Sequence, residues 1–271
     1  MYQSEPSEER EKIDLNNLID RFSIFWKQVL CSVILFLIIA FLYNRYSSKV
    51  YKSSTTILIK EDNNSSLGGD NLFDGIDLFG GQKNIKNEIG ILRSFSLTKK
   101  TLQSLNFRVS YFHSGNLKSE EVYVKSPFIV EINESKNAII NQEFEVKIIS
   151  QDEFTISIEC DNVKAFDLKN ETYVSNQEID VEYKQTHRFG EVISTPFFEF
   201  TLLRNNFDFF TDEQWDSYFF KIHSYNDLTE QFLSQTSVNE IDKDASILRI
   251  SLEGANPKKI NDFLKKINLL Y

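Results

Sequence analysis

The side chains able to do chemistry in this sequence are scattered rather than clustered. The three histidines, His113, His187 and His223, stand far apart, and none has a companion at a metal-ligand spacing. Each reads as a surface or strand residue rather than a catalyst or ligand. Acidic side chains are abundant, 40 in all, but no spacing singles out a pair for acid–base work. There is no Gly-x-Ser-x-Gly, no nucleotide fingerprint and no Cys/His constellation. Gly68, Gly69, Gly75, Gly80 and Gly81 are five of the nine glycines. They come nearest to a phosphate-binding loop but lack the Gly-Lys-Ser/Thr that makes one. Cys31 lies inside an apolar run and Cys160 in a polar, strand-like stretch. They do not suggest a disulfide framework or a paired-cysteine zinc site. The expectation is therefore no catalytic, cofactor-binding or metal-binding residue and no enzyme, although active sites assemble in space as well as in sequence.

What remains to be read is the architecture. Of the 271 residues, about 225 remain outside one membrane segment and a short tail, enough for one large domain or two small ones. Apolar residues make up 41% and charged residues 26%, the balance of a folded chain rather than a disordered one. The 24 Phe and 11 Tyr supply ample bulk for a core. A net charge of -10, with no clustered Lys/Arg surface, argues against a nucleic-acid partner.

Residues 29–43 (VLCSVILFLIIAFLY) run 15 residues without a charge. As a helix this covers only about 22 Å, short of a hydrocarbon core of about 30 Å. Extending it back to 22, with Lys27 snorkelling to the interface, gives about 33 Å and a full span. Trp26 and Tyr43 then fall near the two interfaces. A cleaved signal peptide fits poorly: 28 residues with six acidic side chains precede the run, and no small-x-small site follows it. Charge does not orient the span. Arg10, Lys12, Arg21 and Lys27 lie before or at its start, against Arg45, Lys49, Lys52 and Lys60 after it. Before it, Leu15, Leu18, Ile19, Phe22, Phe25 and Trp26 recur at helical spacing, with Asp14 as N-cap. This is either an amphipathic helix on the inner leaflet or an extension of the membrane helix.

Beyond the span, residues 50–60 (VYKSSTTILIK) are β-branched and read as a strand. Residues 61–82 read as a glycine-rich loop in which Leu72, Phe73, Leu78 and Phe79 are available to dock on a neighbour. Residues 84–105 read as one helix with a stripe of Ile85, Ile89, Ile91, Phe95, Thr98, Leu102 and Leu105, ended by Asn106. Strand-like runs then dominate at 122–132, 143–150, 154–159, 179–183, 197–203 and 218–223, the texture of a β-sandwich or barrel. Helix returns at 227–233, a strand follows at 246–252, and Asn256-Pro257 starts a last helix striped by Ile260, Phe263, Leu264, Ile267 and Tyr271. The expected fold class is α+β. One N-terminal transmembrane helix is followed by an α/β domain, 50–106 and 224–271, into which a β-rich module, 107–223, is inserted.

Three stretches, in order, carry a resemblance. Residues 13–62 combine an acidic and apolar leader, a membrane helix and a strand starting Tyr-Lys-Ser. Residues 87–111 (NEIGILRSFSLTKKTLQSLNFRVSY) resemble a Glu-Ile-x-x-Leu-x-Ser helix with a Leu-Asn turn into a strand. Residues 247–271 (ILRISLEGANPKKINDFLKKINLLY) resemble a strand, a Gly-x-x-Pro turn and a helix. Together they resemble the chain-length determinant (Wzz-type) family of polysaccharide co-polymerases, whose larger members are capsule and exopolysaccharide tyrosine autokinases.

The resemblance implies a bacterial inner (plasma) membrane protein. Residues 1–21 would be a cytoplasmic tail, 22–43 the span, and the main domain periplasmic. It implies homo-oligomeric rings that set the length of O-antigen, capsule or exopolysaccharide made by an inner-membrane polymerase, with an outer-membrane export channel as a further partner. The family returns to the membrane through a second helix, so the chain to Tyr271 reads as part of a longer two-span protein. Without a Walker-type loop, the kinase activity of larger relatives has no residue here to rest on. Lys86, Arg93, Lys99, Lys258, Lys259, Lys265 and Lys266 would lie on outer helix faces, either solvated or meeting neighbouring protomers. The rival expectation is an unrelated bitopic envelope assembly or secretion component with a β-rich periplasmic domain. A membrane-tethered hydrolase is the third.

Overall fold

The computed structural model describes residues 15–47, 49–59, 77–115, 119–205, 217–242 and 245–271, and the chain divides into two units, Met1–Ser48 and Lys49–Tyr271. The first unit is one helix, α1 (Leu15–Tyr46), of 32 residues, about 48 Å at 1.5 Å per residue. The tail segment and the membrane segment are therefore one continuous helix. The stretch long and apolar enough to cross a bilayer is Phe25–Arg45, 21 residues, none of it buried against protein. Large side chains such as Phe36, Leu37 and Phe41 are all more than half exposed, which suits a lipid surround and not a protein core. The expected N-cap, Asp14, lies outside the described residues.

The second unit holds two hydrophobic cores. One belongs to an α/β layer: β1 (Tyr51–Leu58), α2 (Asp77–Leu92) and α3 (Phe95–Ser104) from the first part of the chain, and α4 (Tyr225–Gln235), β14 (Thr236–Asp242), β15 (Ala245–Gly254) and α5 (Pro257–Leu270) from the last. The strands form an antiparallel sheet in the order β1-β15-β14, with Tyr51 opposite Gly254 and Leu58 opposite Ile247. Leu248, Ile250 and Leu252 of β15 are buried with Ile260, Phe263, Leu264 and Ile267 of α5. The start of α5 follows from its sequence: the Asn256 side chain accepts from the amides of Lys258 (3.1 Å) and Lys259 (3.2 Å), and Pro257 needs no partner at the first position. Tyr271, expected on the buried stripe, is 41% exposed.

Several expectations need correction in this layer. The single helix over 84–105 is two helices, broken at Arg93 and Ser94. Ser94 is extended (φ −72°, ψ 142°) and its hydroxyl accepts from the Leu97 amide at 3.3 Å, restarting the helix as an N-cap. The break resets the helical phase. Ile91 and Phe95 are exposed, and Leu92 and Thr101 are buried instead. Asn106 does end the second helix, in the left-handed region at φ 53°. Helix α2 begins at Asp77, so Gly80 and Gly81 are helical and not loop; residues 61–76 lie outside the described residues. Helix α4 extends two residues beyond the expected 227–233 at each end. Strand β14 was not anticipated, because Thr-Ser-Val-Asn-Glu-Ile-Asp is too polar to declare itself. Its Thr236 and Val238 are nonetheless buried by pairing with β15.

The other core belongs to a β-module. A six-stranded antiparallel sheet runs in the order β10-β7-β6-β13-β2-β3. Its members are β2 (Val109–Ser114), β3 (Ser119–Glu121), β6 (Phe144–Ile148), β7 (Glu153–Val163), β10 (Ile179–Arg188) and β13 (Ser217–Ile222). A three-stranded sheet, β11-β12-β4, comprises β4 (Phe128–Ile132), β11 (Val192–Ser194) and β12 (Glu199–Arg204). A small third sheet, β5-β8-β9, joins β5 (Asn137–Ala138), β8 (Phe166–Asp167) and β9 (Thr172–Tyr173). The first two share one interior. Phe144 and Phe220 stack at 4.9 Å within the large sheet, and Phe198 and Phe200 stack at 5.2 Å on the small-sheet side. Phe144 meets both of the latter edge-on at 5.2 and 5.4 Å. All four are 1% exposed or less, so phenylalanine-on-phenylalanine packing supplies the glue between the sheets.

The expected strand over 122–132 is half right. Tyr123–Lys125 is a 3-10 turn and only Phe128–Ile132 is strand. Pro127 has no N–H to donate and holds Ser126 extended (ψ 138°), which separates the two.

Candidate functional site at the joint between the two cores

The chain passes from the α/β layer into the β-module at residues 107–109 and returns at 222–224. The two crossings lie side by side, because Val109 pairs with Ile222 in the β2/β13 ladder and the His223 amide donates to the Arg108 carbonyl at 2.8 Å. At this ribbon the sequence places an arginine between two apolar residues, Phe107 and Val109. Arg108 ends the turn just before β2, and its side chain packs into the junction, only 6% exposed.

A guanidinium buried that deeply requires partners. Arg108 Nη2 donates to Glu171 Oε1 at 2.8 Å and to the Leu168 carbonyl at 3.3 Å. Nε donates to Glu134 Oε1 at 3.1 Å and Nη1 to the His223 carbonyl at 3.4 Å. The guanidinium also lies 4.1 Å over the Tyr225 ring. Glu171, 9% exposed, uses its second oxygen on α4: Oε2 accepts from Ser224 Oγ (2.9 Å), the Tyr225 amide (2.8 Å) and the Asn226 amide (3.4 Å). One carboxylate from the β-module thus neutralises the arginine and caps the positive end of a helix in the other layer. Glu171 does so from a left-handed backbone, φ 55°.

His223 sits on the same ribbon. Its Nδ1 is 2.8 Å from Asn141 Oδ1; the Asn141 amide donates to the Ile222 carbonyl at 2.7 Å and its Nδ2 to Asp227 Oδ2 at 3.4 Å, in the first turn of α4. Burial, with the Lys259 and Lys221 ammoniums as lesser causes, pushes the imidazole down to about 4.

A second clamp joins the β-module to α5. Lys259 forms an ion pair with Glu121, the two side chains 12% and 14% exposed. Lys259 Nζ also donates to Ser110 Oγ at 3.2 Å and lies 5.3 Å from the Phe107 ring centroid. Asn256 Nδ2 donates to the Glu121 carbonyl at 3.1 Å, and the Tyr123 hydroxyl to Asp262 Oδ2 at 3.1 Å. Burial and the Asp262 carboxylate hold the Tyr123 phenol well above its ordinary range. Lys259, placed on an outer helix face by its spacing, is thus an interior partner of the β-module. Lys99 likewise turns inward, donating to Asn226 Oδ1 at 2.8 Å.

The joint's arginine, lysine and carboxylates are engaged with one another. Its chemistry is mechanical: it fixes the β-module on the α/β layer. Of the other histidines, His113 lies on β2 and His187 on β10, where its Nε2 is 2.7 Å from the Tyr183 hydroxyl. Among the described residues, no group of three or more His, Cys, Asp or Glu is placed to hold a metal ion. Sequence reasoning missed Arg108, Glu171, Glu121 and the role of His223; the one local signal was a charged residue inside Phe107-Arg108-Val109.

The first part of this architecture also has known counterparts. Residues 11–105 match the family model of the chain length determinant protein, Wzz. The chain-length-determinant segment thus runs from before the apolar helix α1 through β1, α2 and α3, and ends one residue before the left-handed Asn106 that leads into the β-module. The third resembling stretch, 247–271, lies outside it. No curated protein matches the chain. The match and the apolar helix together point to an inner-membrane protein with a chain-length-determinant role in polysaccharide synthesis.

Proposed function

We propose that this protein is a polysaccharide co-polymerase-like scaffold that regulates the chain length of capsule, O-antigen or exopolysaccharide through oligomerisation in the inner membrane. The observation that carries this reading is the chain-length-determinant match over residues 11–105, which coincides with complete elements rather than cutting through them. In this reading α1 crosses the membrane with the N-terminus in the cytoplasm, and the unit from Lys49 onward is periplasmic. The α/β layer (50–106 and 224–271) is the chain-length-determinant domain, and the β-module (107–223) is an insertion. The joint supports such a role because a length regulator needs protomers that repeat one geometry; buried ion pairs with several hydrogen bonds favour one orientation over its neighbours. The partners are further copies of the chain, the inner-membrane polymerase and an outer-membrane export channel. No step is assigned to any side chain as a catalyst.

The test is deletion of the gene in its own strain, with surface polysaccharide resolved by gel electrophoresis. A shifted or broadened length distribution is expected, restored by the plasmid-borne gene. An unchanged distribution in a strain that still makes polymer would sink the proposal.

A further inference from the structure

A furrow on the β-module has the chemistry to hold sugar. Its first part, about 400 Å³, is lined by Asn141, Gln142, Asn162, Lys164, Tyr173 and Asn176. It shares Asn141 and Gln142 with a second concavity of about 790 Å³ that continues over the outer face of β6, β7 and β10. The two adjoin at these residues; the second is lined by Glu143, Glu145, Glu159, Asp161 and Glu182 with Lys184 and Lys221, whereas the first holds the carboxamides.

The amide-lined end is the more informative. Four carboxamides converge there, and each offers an acceptor oxygen and two N–H donors, the complement of vicinal hydroxyls. Among the described residues, the side chains of Gln142, Asn162 and Asn176 make no hydrogen bond within the chain, whereas Asn141 is committed to His223 and Asp227. Asn162 is held in the left-handed region (φ 55°) and its amide donates to Asp180 Oδ1 at 2.9 Å, so its backbone is fixed while its side chain is free. Tyr173 is 56% exposed, and its ring is supported edge-on by Phe166 at 5.2 Å and 82°. That leaves an aromatic face free to stack on the apolar face of a pyranose. A nucleotide or phosphate ligand would need clustered cations or a glycine-rich cradle, and Lys164 stands alone at this end. An apolar ligand would strand the amides.

We propose that this furrow binds a short run of hydroxyl-rich, uncharged sugar residues of the polymer, with Tyr173 as the stacking platform and Gln142, Asn162 and Asn176 as the hydrogen-bonding set. This deepens the chain-length reading and rests on it for the source of the glycan.

The experiment uses the full chain in detergent micelles and surface polysaccharide purified from the same strain, immobilised on beads. Wild-type protein should be retained, and Tyr173→Ala should weaken retention at least fivefold. Tyr173→Phe, which keeps the ring, should bind as wild type, and the double variant Asn162→Ala/Asn176→Ala should lose binding to a similar degree as Tyr173→Ala. These side chains are exposed, so circular dichroism should be unchanged, and a variant whose spectrum changes is replaced by Asn162→Ser/Asn176→Ser. Failure of the wild type to bind, or binding indifferent to these substitutions, overturns the furrow. The deletion phenotype separates the two proposals. A shifted length distribution with no polymer binding leaves the scaffold standing without the furrow. An unchanged distribution with Tyr173-dependent binding leaves a glycan site on a protein of another role.

Discussion

Glu171→Ala should be the most damaging single change at the joint, and its cost can be worked from the geometry. Removing one partner of a buried pair costs about 3–5 kcal/mol when the other charge is stranded. Arg108, 6% exposed, would keep Glu134, itself 58% exposed, and the carbonyls of Leu168 and His223, which places the loss near the low end, about 3 kcal/mol. Arg108→Met should cost less, about 1–2 kcal/mol, because Glu171 keeps three donors from α4 and the methionine still covers Tyr225. In the double variant no charge is stranded, so the two costs should not add, and the cycle should show a coupling of about 2 kcal/mol. The assay is equilibrium urea unfolding of the detergent-solubilised chain, followed by circular dichroism. Hydrogen exchange at the Tyr225 and Asn226 amides should also rise in Glu171→Ala and stay near wild type in Arg108→Met. A Glu171→Ala cost below about 1 kcal/mol, or additive single costs, would refute the view of Arg108 and Glu171 as one coupled lock.

Other outcomes follow from the same contacts. His223 has a folded-state pKa of about 4, below the ordinary 6.5. The unfolded chain therefore takes up the proton first as pH falls, so this contribution is full above about 6.5 and is lost toward about 4, at most about 3 kcal/mol. His223→Gln should flatten the stability profile between those pH values, and an unchanged slope would show that other groups dominate it. Tyr111→Phe removes the hydroxyl that accepts from the Val130 amide at 3.0 Å on the open edge of β4; it should cost about 1–2 kcal/mol in the same urea assay, with a cost near zero meaning that water replaces the hydroxyl. Asn256→Ala should cost about 1–2 kcal/mol by uncapping α5. Asn256→Asp should recover the cap but not the donor to the Glu121 carbonyl, and so fall between the two.

How much of this could be read from sequence depends on the range of the interaction concerned. Helix α5 was legible because its signals are local: Asn256 and Pro257 at the start, then Ile260, Phe263, Leu264 and Ile267 on one face. The strand cores at Phe144–Ile148 and Ile179–Arg188 announced themselves by β-branched and aromatic content, although the second runs five residues beyond the expected 183 because its continuation, Lys-Gln-Thr-His-Arg, is polar, with only His187 turned inward. The break at Ser94 was hidden, because a serine is tolerated inside a helix and only its backbone reveals the cap. Lys259 is the clearest failure. Helical spacing places it beside Lys258 on a charged face, and nothing nearby predicts a glutamate 138 residues earlier that turns it inward.

The joint was illegible for the same reason, since Arg108 and Glu171 are 63 residues apart. It nevertheless left a mark in the backbone. The non-glycine residues with positive φ among those described are Asn106, Tyr123, Asn141, Asn162 and Glu171. Asn106 leads into the crossing, and Tyr123, Asn141 and Glu171 each reach from the β-module onto α4 or α5. A left-handed tyrosine or glutamate costs about 1 kcal/mol or more, and it persists only where the surrounding contacts exceed that cost. Two such positions, Tyr123 and Glu171, with the left-handed Asn141 beside them, grip two helices and argue that the orientation of the β-module is over-determined by its contacts. A scaffold built to repeat one geometry requires that property of its protomers.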